Sequence, residues 1–88
     1  MKKNISIQTK ILSFMEKKKK IPIKFKKEIL NFEYLDYGQI DSLEIIDFII
    51  FINKKFKIKI KNKDISSKKF RIFGGLIEII NKKTKNTY

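Results

Sequence analysis

Asp41, Ser42 and Glu44 stand together in the segment GQIDSLEII, residues 38–46, and three kinds of chemistry are open to them. The Asp41 carboxylate or the Ser42 hydroxyl can cap a following helix, accepting from amides left unpaired in its first turn. Ser42 could be a nucleophile, which needs a general base and an oxyanion hole. It could also carry a phosphorylated group, at a helix start where free amides and the macrodipole favour an anion. Composition weighs against the nucleophile. The 88 residues include no His and no Cys, so the commonest general base, thiol chemistry, disulfides and thiolate metal ligands are all missing. No lysine lies near Ser42 in sequence to form a Ser–Lys pair. A phosphodiester beside Asp41 and Glu44 would meet like charge. That is tolerable only in water, so the serine would be exposed and modified by another enzyme.

The surroundings of Ser42 are chemically set apart. The chain has 22 Lys plus Arg against 9 Asp plus Glu, for a net charge of +13. From Glu28 to Asn53 there is no basic residue, while Glu28, Glu33, Asp36, Asp41, Glu44 and Asp47 all fall there. This island carries −6, and the rest, with 22 bases and 3 acids, carries +19. Such a total suggests nucleic acid or an anionic membrane. However, 21 of the bases are Lys, and the chain has 19 Ile with no Val and no Ala. AT-rich coding produces that pattern with no function attached. Arginine, preferred for bidentate phosphate and base contacts, occurs once, at Arg71.

The elements that must position Ser42 follow from periodicity. Residues 42–56 form the clearest helix, with Ile45, Phe48, Ile49, Ile52 and Phe56 on one face at about 100° per residue. Asp41 or Ser42 caps it, Glu44 and Asp47 suit its positive end, and Lys54 and Lys55 suit its negative end. A second apolar stripe, Leu43, Ile46 and Ile50, lies roughly opposite, beside Asp47. A helix apolar on two faces is either buried all round or has a partner outside, and a chain this small favours the partner.

An amphipathic helix is expected over residues 5–18, through Ile7, Ile11, Leu12, Phe14 and Met15, ending before Pro22. Residues 23–40 read as a long loop with a short helix near 27–32, pinned by Phe25, Phe32, Tyr34 and Tyr37. Residues 56–61 alternate apolar and Lys like an edge strand but are taken as an extended connector. A short turn is expected near 64–68 and a last helix over 72–82. Gly74 and Gly75 weaken that helix by about 1 kcal/mol each unless packing needs their small size. The core should centre on Leu12, Met15, Ile45, Ile49, Ile52, Phe56, Phe70, Leu76 and Ile80. Eighty-eight residues make one domain, burying about 60% of the unfolded surface, with a core over about 5–82 and a frayed tail at 83–88. No N-terminal apolar stretch has signal-peptide form. The greasiest run, residues 45–52, is too short to span a bilayer and contains Asp47.

GQIDSL followed by an amphipathic helix ending at Phe56 resembles the acyl and peptidyl carrier proteins, whose hallmark is Asp-Ser-Leu. The glycine four residues before the serine looks more like the stand-alone aminoacyl and D-alanyl carriers than the fatty-acid form. DISSKKFRIFGGLIEII is similar to the family's closing segment, with Ile72 in place of the usual Thr. The resemblance covers about residues 5–82. It implies an all-α fold, a small four-helix acyl-carrier-like bundle with a long loop between its first two helices. It implies 4'-phosphopantetheine, drawn from coenzyme A and attached to Ser42, whose terminal thiol carries an acyl or aminoacyl group as a thioester.

In the family, the acidic second helix is presented to partner enzymes. Asp41, Glu44 and Asp47 fall where those acids sit, and Leu43, Ile46 and Ile50 match the apolar contact positions. Asn53, Lys54 and Lys55 depart from the pattern, standing where many relatives remain acidic. Partners would then read only the first two turns, or be less basic themselves. The implied partners are a phosphopantetheinyl transferase, an acyl- or aminoacyl-activating ligase and a downstream acyltransferase or synthase. The expected protein is a cytoplasmic monomer, itself not an enzyme, with no metal, no specific nucleic acid and no membrane insertion. The alternative is a small basic module for nucleic acid or anionic membrane, carried by the lysines outside the island.

Overall fold

The structure, a computed structural model, describes residues 2–85. Every regular element among them is helical. Three long helices dominate: α1 (Lys2–Lys18), α4 (Ile45–Phe56) and α7 (Phe73–Lys85). Four single-turn helices join them: α2 (Ile23–Lys26), α3 (Tyr34–Tyr37), α5 (Asn62–Ile65) and α6 (Lys68–Arg71), with a 3-10 turn at Ile29–Asn31.

The long helices form where apolar residues recur at helical spacing. On α1 the buried positions Ile7, Ile11 and Met15 recur every four residues, and on α7 they are Phe73, Leu76, Ile77 and Ile80. On α4 the stripe turns inward around Phe48 and Ile52, both fully buried. Ile45, Ile49 and Phe56 pack as partly buried flanks, as does Leu12 on α1, so the core is centred differently from the sequence expectation. Phe14 of α1 lies in the α1–α4 seam, stacked on Phe51 at 4.5 Å and tilted against Phe48 at 5.5 Å. Lys57 ends α4 in the left-handed region at φ 55°, residues 58–61 form a connector without regular structure, and no strand occurs among the described residues.

Three expectations are corrected. Residues 23–40 are not an irregular loop with one helix near 27–32, because α2, the 3-10 turn and α3 occupy most of them. These turns are held by rings: Phe25 stacks on Phe32 at 4.6 Å and meets Tyr37 edge-on at 4.8 Å. The element near 64–68 is two turns, α5 and α6, broken where Ser67 caps α6 by accepting from the Phe70 amide. The last helix runs on to Lys85, so 83–85 are helical rather than frayed, while 86–88 lie outside the described residues.

Gly74 and Gly75 have a packing reason. A Cβ on Gly74 would lie 2.7 Å from the Leu30 carbonyl oxygen, and one on Gly75 only 2.2 Å from that of Lys69. Only glycine lets the start of α7 approach both segments. The Phe73 N–H donates to the Phe32 carbonyl at 2.8 Å, fixing the same junction.

Candidate functional site around Ser42

Asp41 is the cap, and Ser42 is not. One oxygen of Asp41, Oδ1, accepts from the amides of Leu43 at 2.9 Å and Glu44 at 2.8 Å. Glu44 Oε1 accepts from the Asp41 amide at 3.1 Å, completing a reciprocal capping box. Residues 42–44 form a turn, and regular α-helix begins at Ile45 rather than at Ser42. The Ser42 side chain is exposed and makes no hydrogen bond with the described residues. One expectation changes as a result: the first-turn amides of Leu43 and Glu44 are already taken by a carboxylate, so an anion on Ser42 would be held by water rather than by them.

The segment leading to Ser42 is anchored from below. Gly38 ends α3 in the left-handed region, at φ 89°, while the Gln39 amide donates to the Tyr34 carbonyl at 2.9 Å. Gln39 is fully buried, and its Nε2 donates to the Lys19 and Met15 carbonyls, closing the C-terminal end of α1. Lys19 returns the contact, its ammonium donating to the Gly38 carbonyl at 3.0 Å and lying 5.6 Å from the Tyr37 ring centroid. Ile40, next along, is buried. The chain therefore passes from two buried residues straight to exposed Asp41 and Ser42. Sequence reasoning missed Gln39. A polar residue between a glycine and a buried isoleucine carries no pattern that separates an anchor from a solvated loop.

Tyr34 holds the other side. Its fully buried hydroxyl donates to the Phe70 carbonyl, and its ring meets Phe48 edge-on at 5.7 Å. Burial pushes this phenol well above its ordinary value, against a smaller opposing pull from Arg71, so it remains a donor. Arg71 pairs with Asp36, tying α6 to α3. The hydrogen bond that Arg71 donates to the Asp36 carboxylate is the main cause holding the guanidinium above its already high ordinary value.

The proposed recognition residues come together on one surface. Leu43 is 87% exposed, Ile46 66% and Ile50 46%, with Asp41 and Asp47 exposed and Glu44 half-buried beside them. The second stripe thus faces outward. Of the six island acids, Asp36 is taken up by Arg71 and Glu28 accepts from Asn31 at 3.3 Å. Asp41, Glu44 and Asp47 make no ion pair among the described residues, so the acidity nearest Ser42 is uncompensated.

Asn53 has a structural task. Its Oδ1 accepts from the Ile60 amide at 2.9 Å, pinning the connector to α4. Among the described residues, no group of three or more acids is placed to hold a metal ion, and no helix is long and apolar enough to cross a membrane. No family model, no curated protein and no solved structure matches the chain.

Proposed function

We propose that this protein is a carrier domain, bearing 4'-phosphopantetheine on Ser42 and presenting an acyl or aminoacyl group to partner enzymes. The observation that carries this reading is the state of Ser42. It is an exposed, unpartnered hydroxyl in the turn that leads into a long helix, while the neighbouring Asp41 does the capping. A serine kept only as a cap would use its oxygen on an amide. The resemblance of GQIDSL and of the closing segment to the carrier proteins supports the same assignment, as does the arrangement of three long helices with short turns between them.

The residues present fit attachment rather than enclosure. Ser42 stands in water, where charge on a phosphodiester is screened from Asp41 and Glu44. When attached, the group supplies the thiol that this cysteine-free chain lacks. The chain's own residues orient and recognise. Gln39, Ile40 and Asp41 fix the position of the hydroxyl, and the acids Asp41, Glu44 and Asp47 offer a partner's basic groups a target beside the Leu43, Ile46 and Ile50 stripe. That surface fits a phosphopantetheinyl transferase, an activating ligase and an acyltransferase or synthase, each docking in turn on a monomer.

The test is incubation with coenzyme A and a broad-specificity phosphopantetheinyl transferase, read by intact mass. Wild type should gain one phosphopantetheine and one titratable thiol, and Ser42→Ala should gain neither. A folded wild type that stays unmodified with several such transferases, its own host's included, would refute the assignment.

A further inference from the structure

At the far end of α4 from Ser42 the surface changes sign. Lys54, Lys55, Lys57, Lys59, Lys61 and Lys63 are all exposed, and no acid lies between Asp47 and Asp64. Lys57, Lys59 and Lys61 alternate with the half-buried Ile58 and the buried Ile60. Lys54 and Lys55 stand on the last turn of α4, Lys57 ends that helix in the left-handed region at φ 55°, Lys61 is extended, and Lys63 lies on α5. The Ile60 amide is fixed to Asn53 at 2.9 Å, so the neighbouring lysines of the connector are displayed from a pinned backbone.

A second lysine-rich segment shows what is distinctive here. Among Lys17, Lys18, Lys19, Lys20, Lys24, Lys26 and Lys27, four are engaged within the chain. Lys26 pairs with Glu16 at 2.9 Å, Lys18 and Lys24 lie over phenylalanine rings, and Lys19 is held by Gly38. None of the six lysines from 54 to 63 makes an ion pair or a ring contact among the described residues. Lys63 acts on the neighbouring Asp64, and the charge of the other five is left for something outside.

We infer that the ridge formed by Lys54, Lys55, Lys57, Lys59, Lys61 and Lys63 binds the phosphate backbone of single-stranded nucleic acid without reading its sequence. Six exposed cations within ten residues offer several successive phosphates a partner at once. A lipid surface is a poorer fit, because residues 54–63 expose no large apolar side chain to enter a bilayer; such side chains lie elsewhere, at Ile23, Leu30, Tyr37, Leu43, Ile46 and Ile50. The ridge also lacks arginine and exposed aromatic rings, which base recognition and stacking use. With α4 about 18 Å long, the Ser42 surface stays clear while the ridge is occupied. The inference does not depend on the carrier reading.

The experiment is fluorescence anisotropy of a labelled 20-nucleotide single strand between 50 and 200 mM salt. With about four phosphates neutralised, affinity should fall about 50-fold over that range, following a slope of about −0.7 per phosphate. Replacing Lys55, Lys59 and Lys61 by Gln should reduce the slope by about 2. The same change at Lys17, Lys20 and Lys27 removes equal net charge and should leave the slope unaltered. Ser42→Ala should bind as wild type does, which separates this result from the modification assay. Equal losses in both triple variants would mean that net charge alone binds and would overturn the ridge. So would absence of binding at 50 mM salt, or binding to phosphatidylserine vesicles in preference to the oligonucleotide.

Discussion

Replacing Asp41 by Ala should destabilise the domain far more than replacing Ser42, although the two are neighbours and both are typical capping residues. The Asp41 carboxylate satisfies two amides, at 2.9 and 2.8 Å, and its own amide is held by Glu44 at 3.1 Å. Loss of a capping side chain costs about 0.5–2 kcal/mol, and one that serves two amides belongs in the upper half, about 1.5 kcal/mol. Ser42 contributes no such bond, so Ser42→Ala should cost no more than about 0.5 kcal/mol. A domain of 88 residues has about 4–13 kcal/mol in total, so both variants remain folded.

Urea unfolding followed by circular dichroism reads the difference. At an m-value of about 1 kcal/mol/M, Asp41→Ala should lower the midpoint by about 1.5 M and Ser42→Ala by less than 0.5 M. Asp41→Asn separates charge from geometry, because asparagine caps about as well as aspartate and should retain most of the stability. Equal losses from Asp41→Ala and Ser42→Ala would show that the serine is a cap, removing the main structural support for its being held free.

Gly75→Ala should destabilise despite alanine's helical advantage of about 1 kcal/mol, since its Cβ would sit 2.2 Å from the Lys69 carbonyl; a net cost of about 2 kcal/mol is expected in urea, and an unchanged midpoint would contradict the close approach. Tyr34→Phe should cost about 1–3 kcal/mol by leaving the buried Phe70 carbonyl unpaired. Because the folded phenol is pushed above its ordinary value, its contribution is intact below about pH 10 and is lost as pH rises past the unfolded value, so the variant should lose less stability there; parallel pH profiles would refute this. On α4, Asp47→Lys and Ile50→Asp should cost within about 0.5 kcal/mol yet slow modification of Ser42, whereas Phe48→Asp should unfold the domain. Similar destabilisation by all three would show that the faces are misassigned.

Periodicity and composition carried the local features of this chain. Repeats at three and four residues placed the three long helices, the absence of His and Cys narrowed the chemistry of Ser42, and the two stripes of α4 separated an outward face from an inward one. Those signals are local, so they survive without knowledge of neighbours. The folded chain settled what depends on distant partners. It chose Asp41 over Ser42 as the cap and shifted the buried centre of α4 to Phe48 and Ile52, against Phe14 and Tyr34. It set Gln39 beneath the end of α1, 20 residues away in sequence. It also turned two glycines that weaken an isolated helix into a requirement, because a carbonyl from another segment lies where a Cβ would be. Helix propensity is a property of neighbouring residues along the chain. Contact between segments becomes a constraint only once the chain has folded back on itself.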